Sequence, residues 1–156
     1  MTQKTANTRP KIALYQPDIP QNTAAIIRTC SCLGVQLEII EPCGFFLTDP
    51  RFKRVVMDYM DISLIKFYKS YPEFENANIN KRVILATTKA KEAYTNFKYS
   101  KDDTLLFGRE SSGVPEDLHK NIKHKIKIPM IENKRSLNLA TSVAIIISES
   151  LRQTIY

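Results

Sequence analysis

Three stretches of the chain put short polar side chains beside glycine or a helix start: Ala86-Thr87-Thr88-Lys89, Gly108-Arg109-Glu110-Ser111-Ser112-Gly113, and the run from Pro129 to Asn138. Gly108 and Gly113 permit tight backbone turns. Ser136 and Asn138 stand where the last helix should begin, and the first amides of a helix are unpaired donors. Together the three stretches suit a pocket that holds a small molecule largely through backbone groups. Arg28 is the only charged residue between Gln21 and Val35. It reads either as an arginine lying over a helix edge toward solvent or as a partly buried holder of an anion, and its isolation favours the second. Arg51-Phe52-Lys53-Arg54 sets three cations beside an aromatic ring. That combination can neutralise phosphates and stack a base, or be a solvated helix face.

Other chemistries find no support. The chain has two histidines, His119 and His124, and three cysteines, Cys30, Cys32 and Cys43, without a C-x-x-C spacing. No zinc site is expected, and free thiols in a reducing cytosol are. The four glycines, Gly34, Gly44, Gly108 and Gly113, form neither a G-x-G-x-x-G nor a G-x-x-x-x-G-K-[ST] loop. Neither histidine accompanies a Ser or Cys motif for nucleophilic catalysis.

The elements that must carry these groups follow from hydrophobic patterning. Strands are expected at Ile12–Tyr15, Gln36–Ile40, Ile62–Phe67, Val83–Thr87, Thr104–Phe107 and Lys125–Ile128. Their short continuous apolar runs suit a sheet covered on both faces. Helices are expected at Asn22–Leu33, capped by Asn22 and stopped by Gly34, at Arg51–Met57, at Tyr71–Ala77 and at Ser136–Gln153. The alternation predicts an α/β fold, a mostly parallel sheet with helices on both faces. Ligands of such sheets bind beyond the carboxyl ends of the strands, where the three polar stretches would lie. In the last helix Leu139, Val143, Ile147 and Leu151 form one ridge while Ile145 and Ile146 turn elsewhere. A helix apolar on several sides needs more than one cover, which predicts a homodimer contact.

Composition sets the frame. The chain has 156 residues, 43% hydrophobic and 25% charged, enough for one domain with its own core. A flexible tail is expected over residues 1–10 and a single domain over 11–156. Lys and Arg outnumber Asp and Glu by 23 to 16, a net +7 that points to a polyanionic partner. The longest aliphatic run, Val143–Ile147, is far short of the roughly 20 residues of a membrane span, and no secretory signal opens the chain.

Three ordered motifs carry a resemblance. They are Ile19-Pro20-Gln21-Asn22-Thr23-Ala24-Ala25-Ile26-Ile27-Arg28, then Leu106-Phe107-Gly108-Arg109-Glu110-Ser111-Ser112-Gly113-Val114-Pro115, then Ile128-Pro129-Met130-Ile131-Glu132-Asn133-Lys134-Arg135-Ser136-Leu137-Asn138-Leu139. Over about residues 11–156 the sequence resembles the SPOUT superfamily of methyltransferases in its TrmH-like branch. The stretch Glu41-Pro42-Cys43-Gly44-Phe45 with Arg54 and Asp58-Tyr59 resembles the subgroup acting on the tRNA wobble nucleotide, cytidine or uridine 34. The resemblance implies a C-terminal trefoil knot, a cytoplasmic homodimer, S-adenosylmethionine as cofactor and the anticodon region of tRNA as partner, with no membrane and no metal. It places cofactor contacts at Ala86, Gly108, Ile128, Met130, Ser136 and Leu137. Arg28, Ser136 and Asn138 would be catalytic, and Asn22, Arg51, Lys53, Arg54 and Glu110 would hold RNA. The chain departs from the pattern near Ala25, where relatives often have glycine. It departs again at Arg109, where the subgroup often has proline and broader TrmH-like enzymes have Gly-Arg-Glu; the broader reading is methylation of another tRNA position or of rRNA, or RNA binding without catalysis.

Overall fold

The computed structural model describes residues 8–59 and 65–156. In chain order its elements are β1 (Lys11–Tyr15), α1 (Pro20–Leu33), β2 (Leu37–Ile40), α2 (Pro50–Tyr59), β3 (Lys66–Tyr68), α3 (Tyr71–Ala77), β4 (Val83–Ala86), β5 (Thr104–Phe107), α4 (Glu116–Asn121), β6 (His124–Ile126) and α5 (Leu139–Thr154). The strands form one sheet in the order β3-β2-β1-β5-β4-β6, and every pairing is parallel. β1 leads outward to β2 on one side and β5 pairs with β4 on the other, so the order reverses between β1 and β5.

Alternate residues feed two cores, one on each face. Ile12, Leu14, Leu105 and Phe107 point to one side and pack with Ile26, Ile27 and Cys30 of α1, Phe52 of α2 and Val143, Ile146, Ile147 and Leu151 of α5. Ala13, Tyr15, Leu85 and Leu106 point to the other and meet Phe74 of α3 and Leu118 of α4. With both faces covered, the central strands can be apolar throughout, and β2 and β5 are buried along their whole length.

Helix boundaries depart from the sequence expectation in informative ways. α1 begins with Pro20, whose fixed φ and missing N–H suit a first helical turn, and no side chain caps it. Asn22 is therefore not a cap. α1 does end at Gly34, with φ +65°, and the Val35 amide donates to the Cys30 carbonyl over 2.9 Å. α5 starts three residues later than expected because Asn138 is its cap: Oδ1 accepts from the amides of Ala140 at 2.9 Å and Thr141 at 3.3 Å. Ser136 lies in the exposed stretch before it. β6 ends at Ile126, since Lys127 turns away to donate its amide to Glu92. β3 is short, and residues 62–64 of the expected strand lie outside the described residues. α4 was not expected; its six residues bury nothing fully.

The expected tail falls mostly on residues 1–7, which lie outside the described residues. Arg9 and Pro10 belong to the packed body: Pro10 is buried, and Arg9 donates to the Leu33 carbonyl at 3.3 Å and lies over the Tyr156 ring. On α5 the ridge residues and Ile146 are satisfied within the chain, leaving Ala144 and Ile145 half-buried. Among the described residues no helix is long and apolar enough to cross a membrane.

Candidate cofactor site and RNA-facing surface

At the carboxyl ends of β4, β5 and β6 lies a cavity of about 520 Å³, a size suited to a small organic ligand. Its walls come from the three polar stretches. Ala86, Gly108, Ile128, Met130, Ser136 and Leu137 all line it, as do Asn22, Glu110 and Asn138. Thus every residue implied to contact a cofactor is brought to one place, though Ile128 belongs with Met130 to the loop after β6 rather than to the expected strand.

The turn after β5 is closed by Arg109 and Gly113, whose amides and carbonyls exchange hydrogen bonds of 3.1 and 2.9 Å. The closure brings Gly108 against it. A Cβ on Gly108 would stand 2.7 Å from two Gly113 backbone atoms, so only glycine fits.

A polar chain ties the three motifs together. Glu110 accepts from the Asp18 amide at 2.7 Å and from the Asn22 side-chain amide at 3.5 Å. Asn22 in turn accepts from the Asn138 side-chain amide at 3.0 Å. Asn22 thus bridges the second and third motifs. Asp18 accepts from the Ser111 amide at 3.0 Å and from two nitrogens of Arg109, with Nε at 2.8 Å. Burial raises the Asp18 pKa, but hydrogen bonds from Ser111 and Arg109 outweigh it and hold the carboxyl below its usual range.

His119 also lines the cavity, which sequence reasoning missed because α4 carries no apolar signal. Its Nε2 lies 3.2 Å from the Thr87 hydroxyl, which itself accepts from the Lys89 amide at 3.2 Å. Burial and the charges of Lys125 and Lys89 hold its pKa below the ordinary histidine value, which favours the neutral ring. The buried Cys30 and half-buried Cys43 have pKa values pushed up to about 12 by burial, so neither is a ready nucleophile.

Arg28 requires a correction. It is exposed in the chain rather than partly buried, and it does not line the cavity. α1 spends Thr23, Ala24, Ile26, Ile27 and Cys30 on the core, which leaves Gln21, Ala25, Arg28 and Cys32 along the opposite, exposed stripe. Arg28 sits six residues, about 9 Å of helix axis, beyond Asn22. Arg51, Lys53 and Arg54 are exposed on α2, whose Phe52 is buried in the core rather than offered to a base. Arg51 is also held by Asp49, through contacts of 2.8 and 3.1 Å. The side chains of Asp58 and Tyr59 lie outside the described residues.

A parallel α/β sheet with a cavity over its strand ends, beside the reversal of strand order, defines a protein built to hold a small ligand there. The chain belongs to the SpoU rRNA Methylase family, whose profile matches residues 9–148. A tRNA (cytidine(34)-2'-O)-methyltransferase of Beijerinckia indica subsp. indica is 45% identical over 144 residues, 91% of this chain and 90% of that protein. The tRNA (cytidine(34)-2'-O)-methyltransferase of Escherichia coli K12 is 37% identical over 147 residues, covering 93% of this chain and 94% of that one. A solved structure described as structural insights into the 2-OH methylation of C/U34 on tRNA matches with a TM-score of 0.89 and 35% identity, covering 94% of this chain and 97% of that one.

Proposed function

We propose that the chain transfers a methyl group from S-adenosylmethionine to the ribose 2′-oxygen of the wobble nucleotide, cytidine or uridine 34, of tRNA. The observation that carries this reading is the convergence of all three motifs on one cavity, in a chain whose curated relatives bear that activity as their name.

The cavity fits the cofactor. Ala86, Ile128 and Ile146 provide an apolar wall, while Glu110, Ser136 and Asn138 supply short polar groups at the rim. The Gly108 turn, too tight for any side chain at that position, keeps backbone close to the opening. S-Adenosylmethionine supplies an activated methyl group when bound. Positioning by the chain then accounts for much of the acceleration. Ala86, Gly108, Ile128, Met130, Ser136 and Leu137 would hold the cofactor, and Asn22 and Glu110 would fix the rim and the RNA beside it.

Arg28 offers a planar guanidinium that donates hydrogen bonds and has no acceptor, which suits it to hold an anion rather than to act as a base. Its role is to stabilise negative charge on the 2′-oxygen or an adjacent phosphate, with the proton passing to water or a phosphate oxygen. Since the stripe of α1 that carries Arg28 faces outward, a homodimer in which one copy presents this stripe to its partner's cavity would complete the site. The exposed apolar groups Ile19, Ile131 and Leu137, the first and last of which line the cavity, support such a cover. Arg51, Lys53 and Arg54 would extend the cationic surface toward the anticodon stem.

Residues 11–156 are read as one domain with a trefoil knot. Supporting it, the chain leaves edge strand β6, passes over the cavity and returns through α5 to pack on α1 and β5 at the sheet centre. A tRNA modifier of this kind belongs in the cytoplasm.

The test is to locate 2′-O-methylated nucleotides in tRNA from cells lacking the protein. Loss confined to nucleotide 34 of some tRNAs is expected. Loss at another tRNA position, or in rRNA alone, would refute the assignment.

A further inference from the structure

Arg109 lines the cavity, carries a cation at its rim and belongs to none of the roles assigned above. Two uses are open to it: gripping an RNA phosphate, or setting the shape of the rim. The contacts decide between them. The guanidinium donates through two nitrogens to one oxygen of Asp18, and the other oxygen of Asp18 takes the Ser111 amide. Asp18 is fixed from behind as well, because Gly44 sits so close that a Cβ there would lie 2.9 Å from the Asp18 Cα. The Gly44 amide bonds to the Pro17 carbonyl at 2.9 Å. One carboxylate therefore joins the loop after β1 to Arg109 at the start and Ser111 in the middle of the turn after β5.

We infer that Asp18 and Arg109 are a positioning pair that locks the Gly108–Gly113 turn at the cavity rim, and that Arg109 serves the cofactor site rather than the RNA backbone. This rests on the cofactor reading proposed above. Side-chain exposures of 18% and 30% mean that water screens the pair, so its worth to global stability is small. Two guanidinium donors on one carboxylate oxygen and the Ser111 amide on the other, by contrast, fix its direction. From Asp18 the restraint passes through Glu110 and Asn22 to Asn138, the cap of α5, so one pair sets the spacing of all three motifs.

The experiment uses Asp18→Asn, Arg109→Gln and the double variant, with Arg109→Lys as the milder probe should a neutral variant fail to fold. Hydrogen exchange is followed in cofactor-free protein, and S-adenosylmethionine and tRNA binding are measured separately. Each single change should speed exchange at the Arg109–Gly113 amides about tenfold and weaken cofactor binding about tenfold, with the double variant no worse than either. The melting temperature should move by no more than a few degrees, and the salt dependence of tRNA binding should stay as in the unaltered protein. Unchanged exchange in the single variants would overturn the inference. So would a salt slope for tRNA binding that falls by about one in Arg109→Gln alone, the mark of a lost phosphate contact. If the unaltered protein binds no S-adenosylmethionine, the cofactor reading fails, and exchange still decides the role of the pair.

Discussion

Strand β5 has an aspartate–arginine pair at each end, and the two do different work. Before it, Asp103 is 1% exposed and takes both prongs of Arg82 at 2.7 Å, together with the Ser100 amide at 2.7 Å. The same guanidinium reaches the Lys98 carbonyl at 2.8 Å and stacks over Phe97. Phe97, Lys98, Ser100 and Asp103 all belong to the connection between β4 and β5, and Arg82 directly precedes β4, so the pair ties the end of that connection to the start of β4. After the strand, Asp18 and Arg109 join loops that are 91 residues apart in sequence, at the mouth of a cavity. The same two residue types serve stability where the carboxylate is buried and shape where the pair borders a ligand space. Residue type alone cannot tell these uses apart; the neighbours can.

Breaking the pairs separately should separate the two properties. The largest stability effect belongs to Asp103→Ala, which strands a guanidinium and the Ser100 amide and should cost about 3 kcal/mol in chemical denaturation. Well below its unfolding transition this variant should bind cofactor normally. At the cavity end, Gly108→Ala forces the Gly113 backbone away and should weaken cofactor binding by about 2 kcal/mol, roughly 30-fold, by calorimetry. Its thermal stability should fall much less than that of Asp103→Ala. Asn138→Ala removes both the α5 cap and the link to Asn22, so about 1 kcal/mol of stability should be lost. Its methyl transfer should fall further than that loss explains.

The smallest effect is a pH dependence. The folded pKa of Asp18 lies below its unfolded value, so its contribution is present above about pH 4 and disappears as pH falls through the folded value. Stability curves of the wild-type protein and Asp18→Asn should therefore differ by less than about 1 kcal/mol at pH 6 and converge in acid. A difference that grows in acid would contradict this direction.

The contrast also explains what could be read without coordinates. The strand at Thr104–Phe107, the strand expected at Val83–Thr87, which ends one residue sooner, and the helix at Tyr71–Ala77 were legible because each leaves a local trace, for the strands a continuous apolar run. Gly34 was legible as a stop for the same reason. Asn22 misled because a favoured capping residue just before an apolar run looks like a cap, whereas Pro20 had already begun the helix and freed the Asn22 side chain for Glu110 and Asn138. Ser136 and Asn138 competed for one role, and two backbone amides decided it for Asn138.

The cavity residues were found through the motifs, but the Asp18–Arg109 pair was not, because it spans 91 residues with no periodicity to announce it. Arg28 shows the limit from the other side. Its solitude among apolar neighbours suggested burial, but a helix that buries one face leaves the opposite stripe outside whatever that stripe carries.

The most direct test of the proposed chemistry is single-turnover methyl transfer by the purified chain with radiolabelled S-adenosylmethionine. Two tRNAs would be compared, identical except that one has a 2′-deoxyribose at nucleotide 34. Label should enter the ribose form at that nucleotide and be absent from the deoxy form. Equal labelling of both, or of neither, would contradict the account.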